Sequence, residues 1–119
     1  MTEQSKESQQ IVILVTRSGM GSADPALQEK LLQTFLRLVV DAQPLPAAIC
    51  FYGEGVKMVI RDSPVLEGLR VLEKQGVFLL ICGTCLDHYG LRDQVEVGIE
   101  GGMPDILEAQ WRADKVITL

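Results

Sequence analysis

Three uninterrupted apolar runs constrain this chain more than anything else in it: Ile11 to Thr16, Ala47 to Tyr52 and Val77 to Ile81. A strand with one wet face alternates apolar and polar residues, whereas a run without polar positions must be covered on both faces. Each run stops at a turn-forming segment. These are Arg17-Ser18-Gly19-Met20-Gly21, then Gly53-Glu54-Gly55, then Cys82-Gly83-Thr84-Cys85. Helical patterns fill the spaces between. Asp24-Pro25 supplies an N-cap and a first-turn proline, and Leu27, Leu31, Phe35 and Leu38 follow at helical spacing. Leu32, Leu36 and Val39 widen that stripe, which predicts a helix covered on two sides and ending near Asp41, before Gln43-Pro44-Leu45-Pro46.

The remainder continues the alternation. Val56 to Ile60 reads as a loop or short helical turn. Ser63-Pro64 opens a second helix, with Val65, Leu66, Leu69 and Leu72 facing inward and Gly76 just past its end. A short helix from Thr84 to Tyr89 stops at Gly90, and Val95 to Val97 reads as a short fourth strand. Gly98 to Gly102 reads as a glycine-rich turn, Pro104 to Trp111 as a last helix and Lys115 to Leu119 as the final strand. Strands alternating with helices predict βαβ units, so the expectation is one α/β domain over residues 11–119. Its sheet should be mostly parallel, with helices on both faces. Met1 to Gln10 is polar and reads as a disordered tail.

Composition narrows the function classes. The hydrophobic fraction of 47% is high for 119 residues, which predicts that some apolar surface is covered by other copies of the chain. The net charge of −5 is scattered, with no basic stripe carrying aromatics, so nucleic acid is not an expected partner. No segment reaches the roughly eighteen apolar residues of a membrane span, and none resembles a leader. Three cysteines, an odd number, fit a reducing cytosol, where Cys-x-x-Cys is more often redox-active, sulfur-handling or metal-binding than a structural disulfide.

In parallel sheets ligands sit beyond the carboxyl ends of the strands. Four loops should gather there: Arg17 to Asp24, Gly53 to Lys57, Cys82 to His88, and Gly98 to Met103. Cys82, last in its strand, is expected to aim into that cleft as a thiolate nucleophile, because nearby backbone dipoles favour ionisation. Cys85, three residues on, is placed to resolve a persulfide or disulfide on its neighbour. Gly83 and Thr84 shape the turn between them. His88 could face the same side and lend a proton. Lys57, beside Gly55, and Arg17 are the cations available to hold an anionic species. Cys50, between Ile49 and Phe51, reads as core. No metal is expected, since Cys82, Cys85, Asp87 and His88 cannot easily surround one ion from so short a segment. No cofactor is expected either, because neither a dinucleotide fingerprint nor a Walker-type loop is present.

Gly76-Val77, followed by Cys82-Gly83-Thr84-Cys85-Leu86-Asp87 and Tyr89-Gly90-Leu91, resembles the DsrE/DsrF-like superfamily. Met20-Gly21, Asp24, Leu27, Glu29-Lys30-Leu31, Phe35, Gly55-Val56-Lys57, Val97-Gly98 and Met103 resemble it too, and closest to the YedF-type domain linked with sulfur and selenium metabolism. The resemblance implies a three-layer α/β/α sandwich with a five-stranded parallel sheet, assembled into trimers or hexamers. It also implies a cysteine that carries sulfur as a persulfide between a protein donor and an acceptor, and that position falls on Cys82. Cys85 matches the second cysteine of the YedF-like pattern. Ala23 stands where a glycine is usual in that pattern, and Gly53 and Gly102 stand where asparagine is usual. YedF-type proteins often carry a small sulfur-carrier domain ahead of this one; Met1 to Gln10 is too short to be it, so a separate donor protein is expected. Two rival readings are a Cys-x-x-Cys thiol–disulfide oxidoreductase and a non-catalytic oligomeric module. Against the first, thioredoxin-like chains place the motif after their first strand, and here it follows the third.

Overall fold

The computed structural model describes residues 9–119, so most of the tail expected over residues 1–10 lies outside the described residues. Gln10, at its end, is already tied down. It donates its N–H to the Asp114 carboxylate at 2.8 Å, and its carbonyl accepts the N–H groups of Asp114 and Lys115.

Five strands form one sheet: β1 (Ile11–Val15), β2 (Ala48–Phe51), β3 (Phe78–Cys82), β4 (Ile99–Gly101) and β5 (Lys115–Thr118). Every pairing is parallel, in the order β4-β3-β2-β1-β5. The helices are α1 (Pro25–Val39), α2 (Leu66–Lys74), α3 (Gly83–Tyr89) and α4 (Met103–Arg112), and a 3-10 helix spans Gly53–Met58. The three apolar runs become the three central strands, buried almost throughout. The exceptions are the first residues of two strands, Ile11, half-buried, and Phe78, 43% exposed at the mouth of β3. The first two crossovers step the same way across the sheet, so right-handedness puts α1 and α2 on one face. There they touch, with Gly68 against Leu36. The return from β4 to β5 runs the opposite way and places α4 on the other face. This is the α/β/α sandwich, its sheet wholly rather than mostly parallel.

Two expectations are corrected. The fourth strand is Ile99–Gly101, inside the segment read as a glycine-rich turn, while Val95 makes only an isolated antiparallel bridge with Ile60. An edge strand needs backbone alone to pair. Gly98, at φ +90°, lies so close to β3 that a side chain there would strike Ile81 and the Leu79 carbonyl. In α1 only one of the two apolar stripes is covered. Leu32, Leu36 and Val39 face the core, whereas Leu27, Leu31 and Leu38 are exposed, Leu38 by 68%. Both stripes have helical spacing, so spacing alone does not choose between them. Val65, Leu69 and Leu72 of the second helical region are buried as expected, with Leu66 half-buried.

Candidate functional site

The carboxyl ends of β1, β2 and β3 bring three loops together. Gly55 lies against the end of β1; a Cβ on it would sit 1.9 Å from the Val15 carbonyl oxygen. That contact seats the 3-10 helix on the sheet edge, and Gly53, at φ +58°, turns its N–H toward α3. The Gly53 N–H donates to the Cys85 sulfur at 3.1 Å. The Cys85 thiol in turn donates to the Cys82 sulfur, with 3.0 Å between the two Sγ atoms. All three cysteines are free thiols.

Cys82 is the last residue of β3, as expected, but it does not open into a cleft. It is 2% exposed, packed among the core residues, and its sulfur meets that of Cys85. The reason is register. Cys82 pairs with Gly101 of β4, and α3 begins at the next residue, so the strand end is covered before the chain turns away. Cys85, half-buried in the first turn of α3, is the outer thiol. Its pKa is raised, chiefly by burial and then by its contact with Cys82, and the Gly53 N–H opposes that shift. At Cys85, burial and the Cys82 contact together outweigh the nearby N–H. Cys50 is fully buried in β2, where burial pushes its thiol up to about 11.

The remaining candidates are distributed around this pair. Gly83 is buried between the cysteines and Thr84 is exposed beside it. His88 is exposed on α3 and meets the Tyr89 ring edge-on at 5.0 Å between centroids. Lys57 sits over the Tyr89 ring at 4.7 Å and pairs with Glu54 at 3.5 Å. Tyr89 lies about one helical turn beyond Cys85, so the Lys57 ammonium is held toward the far end of α3 rather than over the sulfurs. Arg17 folds onto its own loop, donating to the Gly21 carbonyl at 2.9 Å. Its loop touches the same neighbourhood through Thr16, whose carbonyl faces Gly53.

A cluster that the sequence did not single out closes the other flank. Arg92 pairs with Asp87 of α3 at 2.9 Å and with Glu100 of β4, and reaches the Gly83 carbonyl at 3.4 Å. The Arg92 hydrogen bond holds the Asp87 carboxyl below the usual carboxylate range. Glu100 lies directly over Gly83, where a Cβ would meet its carboxylate at 2.5 Å. The signal was scattered across three elements and had no periodicity to reveal it. Gly98 was expected among the loops at this edge; it precedes β4 and sits level with Leu79, so only Gly102 and Met103 follow the strand.

A separate open depression of about 400 Å³ lies between α1 and α2, lined in part by Gln33, Leu36, Arg37, Val65 and Val71. None of its lining residues belongs to the loops around the thiols. Among the described residues, no group of three or more His, Cys, Asp or Glu side chains is arranged to hold a metal, and no helix is long and apolar enough to cross a membrane.

The sequence pattern of the DsrE/DsrF-like family matches residues 9–119. The fold is similar to the crystal structure of ychN protein from E. coli, with a TM-score of 0.68 at 22% identity, covering 93% of this chain and 99% of that one. It is equally similar to MTH1491 from Methanobacterium thermoautotrophicum, titled a protein of unknown function. That TM-score is 0.70 at 22% identity, covering 94% of this chain and 100% of that one. No curated protein matches the sequence.

Proposed function

Since the chain belongs to the DsrE/DsrF-like family, which is associated with sulfur relay, we propose that it takes up sulfane sulfur as a cysteine persulfide on the Cys82–Cys85 pair and passes it on. One observation carries this reading: two free thiols in contact at 3.0 Å, the outer one held by the Gly53 N–H, at the sheet edge where parallel α/β folds place their chemistry. A thiolate there attacks the outer sulfur of a persulfide donor, and the donor leaves as a thiol. The partners are a protein persulfide donor and an acceptor thiol. The apolar faces left open on α1 (Leu27, Leu31, Leu38) and α4 (Met103, Leu107, Trp111) support association of several copies.

Intact-mass spectrometry after exposure to a small-molecule persulfide tests the reading. The expected gain is the mass of one sulfur atom, or its discharge as sulfide, in wild type, and neither in the Cys82→Ser/Cys85→Ser double variant. Equal uptake by the double variant, or none by any form, would overturn it. The sulfur–sulfur contact also favours a second reading, a thiol–disulfide oxidoreductase. Rapid reduction of a protein disulfide by the dithiol form, with no uptake of sulfane sulfur, would select that one.

A further inference from the structure

The two thiols are not equivalent, and their difference fixes an order of events that rests on the persulfide reading above. Cys82 is 2% exposed, and its sulfur lies 3.0 Å from that of Cys85. Cys85 is half-buried and accepts the Gly53 N–H. A thiolate on Cys85 keeps one donor, the Gly53 N–H. A thiolate on Cys82 accepts the Cys85 S–H, but an external donor molecule cannot reach it without displacing core side chains, so access decides between the two sulfurs. We infer that sulfur enters on Cys85, and that Cys82 acts afterwards as the internal resolving thiol, releasing the sulfur as hydrosulfide. This inverts the roles that the family resemblance assigns.

In the first step the Cys85 thiolate attacks the outer sulfur of a donor R–S–SH. A Cys85 S–S bond forms, the donor's S–S bond breaks, and R–S⁻ leaves to be protonated. In the second step the Cys82 thiolate attacks the Cys85 sulfur from its contact position. A Cys82–Cys85 disulfide forms, the persulfide bond breaks, and the electron pair departs with HS⁻. The sum is R–SSH plus two thiols giving R–SH, H₂S and one disulfide; the sulfane sulfur is reduced and the protein dithiol oxidised. An external dithiol restores the pair by exchange. A thiol acceptor that reaches Cys85 before the second step takes the sulfur instead, so acceptor and Cys82 compete for one persulfide.

Reduced wild type, Cys82→Ser and Cys85→Ser are each mixed with glutathione persulfide, desalted and mapped by mass spectrometry, with released sulfide measured in parallel. Cys82→Ala serves as a second variant if the serine hydroxyl disturbs the core. The expected results are one stable extra sulfur on Cys85 in the Cys82 variants, and in wild type a disulfide with one sulfide released per chain. Cys85→Ser should load at least about tenfold more slowly. Loading of Cys82 in Cys85→Ser at the wild-type rate would overturn the order while leaving the persulfide reading intact. Wild type that keeps its extra sulfur without forming a disulfide would overturn the resolving step. Failure of every form to load would instead remove the persulfide reading itself.

Discussion

The Gly53 N–H donates to the Cys85 sulfur at 3.1 Å across a separation of 32 residues, joining the turn after β2 to the helix after β3. The bond depends on Gly53 standing at φ +58°, in the left-handed region that glycine adopts freely and asparagine tolerates. This explains physically why either residue suits the position. Gly102, where asparagine is also usual, is different. It is extended (φ −114°, ψ 179°) at the N-cap of α4, where Asn and Gly are both accepted caps.

Gly53→Val should therefore destabilise by about 1–3 kcal/mol, since a β-branched residue is strained at this φ and a Cβ would already press on the Thr16 carbonyl. Gly53→Asn should cost less than about 1 kcal/mol. Urea unfolding of both variants provides the comparison. Iodoacetamide labelling then reports on Cys85, which should change rate in Gly53→Val and stay near wild type in Gly53→Asn.

Gly55 and Gly83 both lack room, but for different reasons. A Cβ on Gly55 meets backbone 1.9 Å away, which cannot yield, so Gly55→Ala should cost about 3 kcal/mol or more, or prevent folding. A Cβ on Gly83 meets the end of the Glu100 side chain, which can swing aside. Gly83→Ala should cost only about 1 kcal/mol and loosen the Arg92 pairing. Thermal melts ranking the two the other way would contradict the close approach at β1.

The face of α1 is tested by two leucines two positions apart. Leu36 is 1% exposed, and Leu36→Ala should lose about 2–5 kcal/mol through the cavity it leaves. Leu38 is 68% exposed, and Leu38→Ser should stay within about 0.5 kcal/mol in the isolated chain. A sedimentation measurement on Leu38→Ser adds the expected shift toward smaller assemblies if this face joins copies.

Cys50 gives the pH dependence a definite sign. Its folded-state pKa is raised from 9.0 to about 11, so the folded chain holds the proton more tightly than the unfolded chain. The contribution is fully present below pH 9 and is lost as pH rises through about 11. It amounts to about 2–3 kcal/mol at most. Cys50→Ala should be less stable than wild type by about 1–2 kcal/mol at neutral pH, from lost packing. The gap should narrow at about pH 10–11, as read by urea unfolding at both pH values. A gap independent of pH would show that this thiol does not titrate in the unfolded chain as expected.

Much of the architecture was legible in the residues. Runs such as Ile11 to Val15 and Val77 to Ile81 carry no polar position, and only a sheet covered on both faces accommodates them. Pro25, Gly76 and Gly90 marked helix ends because their backbone preferences act locally, whatever the rest of the chain does. The thiol pair was legible for the same reason, its spacing and its place after a strand both being local facts.

Three features depended on tertiary structure. Leu32 rather than Leu31 faces the sheet because a helix with two apolar stripes is oriented by what it packs against, not by its period. Ile99–Gly101 became a strand because β3 offered a free edge, which supplied the pairing that its own glycine and its glycine neighbours Gly98 and Gly102 did not favour. The inward placement of Cys82 and the outward placement of Cys85 came from β4 and the Gly53 turn closing over the end of β3. Burial is set by residues distant along the chain, so a motif of four residues names the chemistry but not which sulfur the outside can reach.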